Sequence, residues 1–501
     1  MEDYRRIADA VAADLAAGRL RPGDRLATQR AFARAHGIAA STAARVYREL
    51  ARRGLTVGEV GRGTYVRAAQ HAPGPALAEP ADPARRTRVN LELNYPEVPG
   101  QAALLARGLE PLLRPDVLSA ALAVAPATGS APAREGFAAL LTHGDFRPDP
   151  AGLLFAGNGR QAIAGALAAL VPPGGRLGVE ALTYPLVKSV AARLGVTLVP
   201  LAGDAYGLHP DAVRAAHRGA PLHALYLQPT LHNPLGVTMP AGRRAELAET
   251  LRALDLWAVE DAVWSFLLDD GRQAGLPPLA ALAPERTLLV DSLSKRLAPG
   301  LTVGLVLAPP ASADRVAAAL RSGGWTAGGF ALEATVRWLL DGVVTTVVEA
   351  KRRDAAARQA LLREYLDGYR VRAGPASYFA WWELPEGWRA ETFLAAAARH
   401  GIAVTPAAAF AVGAEGTHGA APAPNAVRVA LAAPAPDDLA YALRTLAALA
   451  RGAPEDSVPD RVARAHHRAG REPPAVHGSG TFVSHPGRRD GPPSGPRKVD
   501  A

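Results

Sequence analysis

Asp291-Ser292-Leu293-Ser294-Lys295-Arg296-Leu297-Ala298-Pro299-Gly300 follows directly on the apolar run Thr287–Val290. A lysine flanked by serines therefore stands at the end of a segment that reads as a buried strand. The chain has only four lysines, Lys188, Lys295, Lys351 and Lys498, and uses arginine everywhere else for positive charge. The two are not interchangeable. A deprotonated primary amine can form an imine with an aldehyde, and a guanidinium cannot. Lys295 is the candidate for that chemistry because of its surroundings. The other three lysines lack such surroundings and read as what drift leaves in an arginine-biased chain.

Outward from this segment, residues 90–450 alternate apolar strand-like runs with Ala-rich helical stretches, the pattern of an α/β domain. Several runs end in polar residues. Ala156-Gly157-Asn158-Gly159-Arg160-Gln161-Ala162 leads from a strand into a helix over 160–171, whose N-terminal amides favour an anion. Tyr184 stands in Thr183-Tyr184-Pro185, and Asn233 in the turn Gln228-Pro229-Thr230-Leu231-His232-Asn233-Pro234-Leu235-Gly236. Glu260-Asp261 follows the strand Leu256–Val259, and Arg428 lies in Asn425-Ala426-Val427-Arg428-Val429-Ala430. Singly, each has a plain reading: a turn residue, a core ring, a surface pair. Together they stand at strand ends, where doubly wound sheets place their ligands.

In this order the segments closely resemble the fold-type I aminotransferases. The resemblance implies pyridoxal 5'-phosphate as cofactor, with Lys295 as the catalytic lysine that binds it. It further implies that Ser292, Ser294, Gly159, Arg160 and Gln161 meet the phosphate and that Tyr184 stacks on the ring. Asn233 should touch the ring oxygen, and Asp261 should pair with the pyridine nitrogen. Arg428 matches the arginine that clamps a substrate or effector carboxylate. Three positions depart from the family pattern. Thr302 stands where an arginine usually grips the phosphate, Trp264 near the place of a tyrosine, and Val124 where a tyrosine crosses the dimer. Arg160 is a candidate for the missing phosphate charge.

The front of the chain reads differently. Residues 1–67 hold 13 arginines against 7 acids, a balance of +6, and residues 451–501 add +3. The rest of the chain is neutral, so a basic head sits on a neutral body, which suits a polyanion partner. Ile7, Val11 and Leu15 give one apolar helix face. A second helix is expected from about Thr28 to His36, and a third from about Ser41 to Arg53, followed by a hairpin around Gly61-Arg62-Gly63. Gly18-Arg19-Leu20-Arg21-Pro22-Gly23-Asp24-Arg25-Leu26, Gln29-Arg30, Val46-Tyr47-Arg48-Glu49-Leu50 and Gly61-Arg62-Gly63-Thr64-Tyr65-Val66 resemble the GntR family of bacterial regulators. The resemblance implies a winged helix-turn-helix that binds double-stranded DNA. Arg30 should hold a phosphate, Ser41, Thr42 and Arg45 should face the major groove, and Arg62 and Gly63 should approach the minor groove or backbone. Ala39 and Ala40 replace the Ser-Arg that often opens the recognition helix.

The chain thus reads as multidomain: an N-terminal winged helix-turn-helix at 1–67, a linker at 68–89, and an α/β fold-type I PLP-dependent aminotransferase-like domain at 90–450. A small C-terminal part of that domain is expected at about 330–450, and the Pro-, Gly- and Arg-rich tail 451–501 reads as disordered. The combination resembles the MocR subfamily of GntR regulators, which implies a homodimer and an amino-compound effector. There is no cysteine, no metal-ligand cluster, no signal pattern and no apolar stretch of spanning length. These fit a cytoplasmic, nucleoid-associated regulator with no membrane partner. Three functions stay open on sequence: a cofactor-linked sensor, a working aminotransferase with a vestigial or autoregulatory head, and a cofactor-free dimerisation scaffold.

Overall fold

The computed structural model describes residues 3–16, 19–20, 24–52, 55–59, 63–66, 88–273, 275–300, 302–413 and 423–452, all within the unit Met1–Pro459. Most of the expected linker and nearly all of the expected tail lie outside them.

The head is built from α1 (Asp3–Ala16), α2 (Gln29–Ala35), α3 (Ala40–Arg52), β1 (Thr56–Glu59) and β2 (Gly63–Val66). Thr28 caps α2, its hydroxyl accepting from the Ala31 amide at 3.3 Å. Gly37 follows the helix at φ +61°, the left-handed position that glycine adopts without strain. Val46 and Leu50 lie one turn apart on α3 and are buried against Val11 and Phe32. Each such side chain contributes roughly 1.5–3 kcal/mol on burial. β1 and β2 pair antiparallel, Thr56 opposite Val66 and Glu59 opposite Gly63. Three helices and a two-stranded wing make the expected winged helix-turn-helix.

The body opens with β3 (Val89–Leu91) and then lays down a seven-stranded sheet. Its strands are β4 (Leu153–Ala156), β5 (Arg176–Glu180), β6 (Thr197–Leu201), β7 (Ala224–Leu227), β8 (Trp257–Asp261), β9 (Thr287–Ser292) and β10 (Gly304–Leu307). The spatial order is β4-β10-β9-β8-β7-β5-β6. β10 runs antiparallel to both its neighbours, and the other pairings are parallel. β4, β7 and β9 are buried along their whole length, as strands covered on both faces must be. α4 (Gly159–Leu170) follows β4, and the four-residue α5 (Leu293–Arg296) follows β9, so both start at the same edge of the sheet.

α6 (Val343–Leu366) leads into a five-stranded sheet. It comprises β11 (Val371–Arg372), β12 (Phe379–Glu383), β13 (Ile402–Pro406) and β14 (Ala426–Ala430), in the order β11-β12-β14-β13-β3. α7 (Ala390–Arg399) and α8 (Pro436–Arg451) share its apolar core. The small part is therefore not continuous in sequence. β3 pairs in parallel with β13, Ile402 opposite Val89 and Val404 opposite Leu91. Three residues are too few to show a period, which is why the sequence reading leaves Val89 in the linker and Asn90 and Leu91 with the large part.

Candidate functional site

Between the two sheets of the body lies a cavity of about 260 Å³, at the end of the large sheet where β7, β8 and β9 give way to their loops. Lys295, Asp261, Asn233, Tyr184, Ser292, Ser294, Gly159, Arg160 and Arg428 all line it. Gln161 is not among the lining residues; its backbone N–H donates to Asn158 Oδ1 at 3.0 Å, closing the turn that opens α4. Strand ends thus bring together residues that are far apart in sequence.

The Lys295 amine donates to the carbonyl of Asn94 at 2.7 Å. It lies 4.0 Å from the centre of the Tyr95 ring and 5.4 Å from that of Trp264. Burial, and after it the charges of Arg160, Arg428 and Lys351, hold this ammonium down to about 7. Near neutral pH a large share is therefore the free amine that carbonyl chemistry needs.

Asp261 ends β8 almost fully buried. The hydroxyl of Tyr226 donates to its Oδ2 at 2.6 Å and Nε2 of Gln228 at 2.8 Å, while the Val263 amide meets Oδ1 at 3.1 Å. Burial pushes the Asp261 carboxyl up, against these hydrogen bonds. A cation set against it would reverse that shift. Gln228 also accepts the Asn233 amide at 3.1 Å, which ties the Asn-Pro turn to the same network.

At the other end, Ser292 and Ser294 share a hydrogen bond of 2.6 Å. Gly159 faces them: a Cβ there would stand 2.9 Å from the Ser292 hydroxyl. Gly304 on β10 lies so close beneath that a Cβ would meet the Asn158 carbonyl oxygen at 2.2 Å. Hydroxyls, a helix N-terminus and a side-chain-free approach form a cradle for a compact anion. Thr302 also lines the cavity, and its buried hydroxyl has no hydrogen-bond partner. Arg160 reaches the Tyr95 hydroxyl at 3.0 Å.

Arg428, buried on β14, donates to Thr405 Oγ1 at 3.2 Å, to Asn233 Oδ1 at 3.5 Å, and to the Glu92 carbonyl. Its Nε is buried without a hydrogen-bond partner, as are both polar atoms of the Asn94 side chain. Buried polar groups are normally paired, so these atoms are fitted for a ligand. An amine, a carboxylate on a strand end and an anion cradle together suit pyridoxal phosphate. Trp264 forms part of the cavity wall, whereas Val124 is 98% exposed.

In the head, Arg30, Ser41 and Arg45 are exposed and Thr42 is half-buried. Gly63 stands at φ +122°, with a virtual Cβ 2.8 Å from Arg25 Nε. Arg62 lies outside the described residues.

Sequence reasoning missed Asn94, Tyr95, Tyr226 and Gln228. Tyr226 and Gln228 did carry a signal: they are two apart beside the strand of Asp261, so they present the same face to it. Asn94 and Tyr95 follow a three-residue strand and carried none.

Residues 119–446 match the model of the aminotransferase class I and II family, and residues 3–66 that of the bacterial regulatory proteins of the gntR family. The uncharacterized HTH-type transcriptional regulator YdeF of Bacillus subtilis is 29% identical over 410 residues, covering 82% of this chain and 87% of its own. The HTH-type pyridoxine biosynthesis transcriptional regulator PdxR of Corynebacterium glutamicum is 28% identical over 359 residues, covering 70% and 76%. Among solved structures, an archaeal alanine:glyoxylate aminotransferase superposes with a TM-score of 0.65 at 22% identity, covering 72% of this chain and 90% of that one. The fold family is pyridoxal-phosphate-dependent, and the head is of a DNA-binding type. The chain belongs to the aminotransferase class I and II family and carries in front of that body a GntR-family head, the combination found in transcriptional regulators of the MocR type.

Proposed function

We propose that this regulator binds pyridoxal phosphate on Lys295 and uses the body to sense an amino compound rather than to turn it over. When bound, the cofactor would supply an electrophilic carbon for the effector's amine. Ser292, Ser294 and the N-terminus of α4 would hold its phosphate, Asp261 its ring nitrogen, Asn233 its ring oxygen and Tyr184 its face. Arg428 and Asn94 would take the effector's acid group. The observation that carries this reading is the set of buried, unpaired polar atoms on Arg428 and Asn94, in one cavity with an amine that burial brings down to about 7. Sensing needs only that the effector bind one state of the body better than another.

The exposed Arg30, Ser41 and Arg45 support the head's role on double-stranded DNA, and that role would put the protein at the nucleoid in the cytoplasm. Leu113, Leu122, Val124 and Leu340 are all more than two-thirds exposed, which supports a homodimer that covers them. Sedimentation of the full chain would test that.

The deciding experiment is an absorbance spectrum with and without pyridoxal phosphate, followed by gel shift on the chain's own upstream DNA. A near-visible band lost in Lys295→Ala, with a shift that responds to an amino acid, is the expected result. Steady turnover of an amino acid with 2-oxoglutarate, abolished by Lys295→Ala, would make it an enzyme instead. A shift without any band would leave the body a scaffold.

A further inference from the structure

Nothing in its sequence neighbourhood marks Lys351, yet it sits on α6 at 0% exposure. Its Nζ donates to the carbonyl of Lys295 at 2.9 Å and to that of Leu297 at 2.5 Å. Those carbonyls lie at the end of α5, a helix of four residues with no further turn to bond them. Gln101 donates to the same Leu297 oxygen at 3.1 Å. A buried ammonium is costly, and an apolar side chain of similar volume would often serve packing as well or better. Here the ammonium bonds the backbone of Lys295, whose amine faces the cavity, and of Leu297 two residues on.

The same helix holds the opposite wall. Two turns further along, Arg358 is 5% exposed, and its Nη1 donates to the carbonyls of Leu431 and Pro434 at 2.5 and 2.7 Å. These residues directly follow β14, which carries Arg428. Asp354, between the two cations, accepts from Arg358 at 2.7 Å and from the Tyr378 hydroxyl at 2.8 Å.

We propose that Lys351 is a positioning residue, clamping the backbone on either side of residue 296 so that the Lys295 amine is presented to the cavity at a set distance from Arg428. The proposal rests on the reading of Lys295 as the amine that takes a carbonyl compound. Burial holds the Lys351 ammonium down to about 7, against the opposing pull of Glu97 and Asp354. It adds to the positive field around Lys295, together with Arg160 and Arg428.

Two variants separate positioning from filling. Lys351→Met keeps the length and removes every donor, whereas Lys351→Gln returns two amide donors without the charge. The melting temperature of the cofactor-free full chain reports folding. Capture of pyridoxal phosphate is timed at about pH 9, above the value at which the Lys295 amine is set free. In parallel, formaldehyde with cyanoborohydride methylates Lys295 across pH, read by peptide mass spectrometry. Lys351→Met is expected to capture pyridoxal phosphate at least about tenfold more slowly, and Lys351→Gln to recover most of the rate. In both, the methylation midpoint of Lys295 should rise, since a nearby positive charge is gone.

A folded Lys351→Met chain with the wild-type capture rate overturns the proposal. If that variant does not fold, Lys351→Gln decides: a raised midpoint supports the proposal and an unchanged one overturns it. A wild-type chain that is methylated at Lys295 but captures no pyridoxal phosphate would sink the cofactor reading alone, because methylation of the two variants still reports on Lys351.

Discussion

At the scale of the residue, Lys295 owes its chemistry to burial and to three neighbouring cations. Its reaction with an aldehyde should therefore climb as pH rises through about 7 and level off above it. A profile that kept climbing toward the ordinary lysine value of 10.5 would show an exposed amine instead. Arg428→Ala should weaken an acidic amino effector roughly 10- to 100-fold, the cost of a lost hydrogen bond to a charged group, while cofactor capture stays near wild type. Titration of the absorbance change with effector checks both halves of that statement. Lys295 and Asp261 were legible because each sits beside an apolar run that announces a strand end, and Asn233 because its Asn-Pro turn follows such a run. Asn94 was not. Its importance comes from a carbonyl that meets Lys295 from 201 positions away, and no local pattern encodes that meeting. The burial of Lys351 was illegible for the same reason, since its partners are backbone carbonyls at the end of α5, more than fifty positions away.

At the scale of the element, the anion cradle is a contact between β10 and the start of α4. Gly304→Ala would drive a methyl into the Asn158 carbonyl oxygen, and the neighbouring Gly159 amide is only 2.8 Å away. The backbone must then move, at about 1–3 kcal/mol. The expected result is a lower melting temperature together with at least about tenfold weaker pyridoxal phosphate binding, measured by fluorescence. Gly242→Ala, whose virtual Cβ meets nothing within 4 Å, is the control. In the head, Arg45→Ala removes an exposed cation from α3 and should cost about 1–3 kcal/mol of operator affinity without lowering the melting temperature. Filter binding at two salt concentrations would show whether Arg45 meets a base or a phosphate, since only the latter flattens the salt slope. The helices of the head were readable to within a residue or two, because Thr28 and Gly37 bracket α2 and the apolar period of α3 is clean. The small sheet was not, because its edge strand β3 is joined to it only through pairing with β13.

At the scale of the whole molecule, two lysines are carried at about 7 inside the fold and return to their ordinary value when it opens. Between about pH 7 and 10 the unfolded chain binds a proton at each that the folded chain does not, so their contribution makes stability rise with pH. Below about 7 the folded chain takes up those protons too, and the contribution becomes flat. The melting temperature of cofactor-free protein should thus gain more between pH 7 and 9 in the wild type than in Lys351→Met. Equal gains would mean that Lys351 titrates as an ordinary lysine. The same scale gives β3 a meaning that its three residues hide. The strand that completes the small sheet, and the four residues after it that wall the cavity, are the first described stretch beyond the linker. Residues 92–95 therefore act on the pocket like a drawstring, held at one end by β3 and drawn along the cavity wall. A body cut free of its head has to begin before Arg88. A later cut would strip an edge from the sheet beside Arg428 and remove the carbonyl on which Lys295 rests.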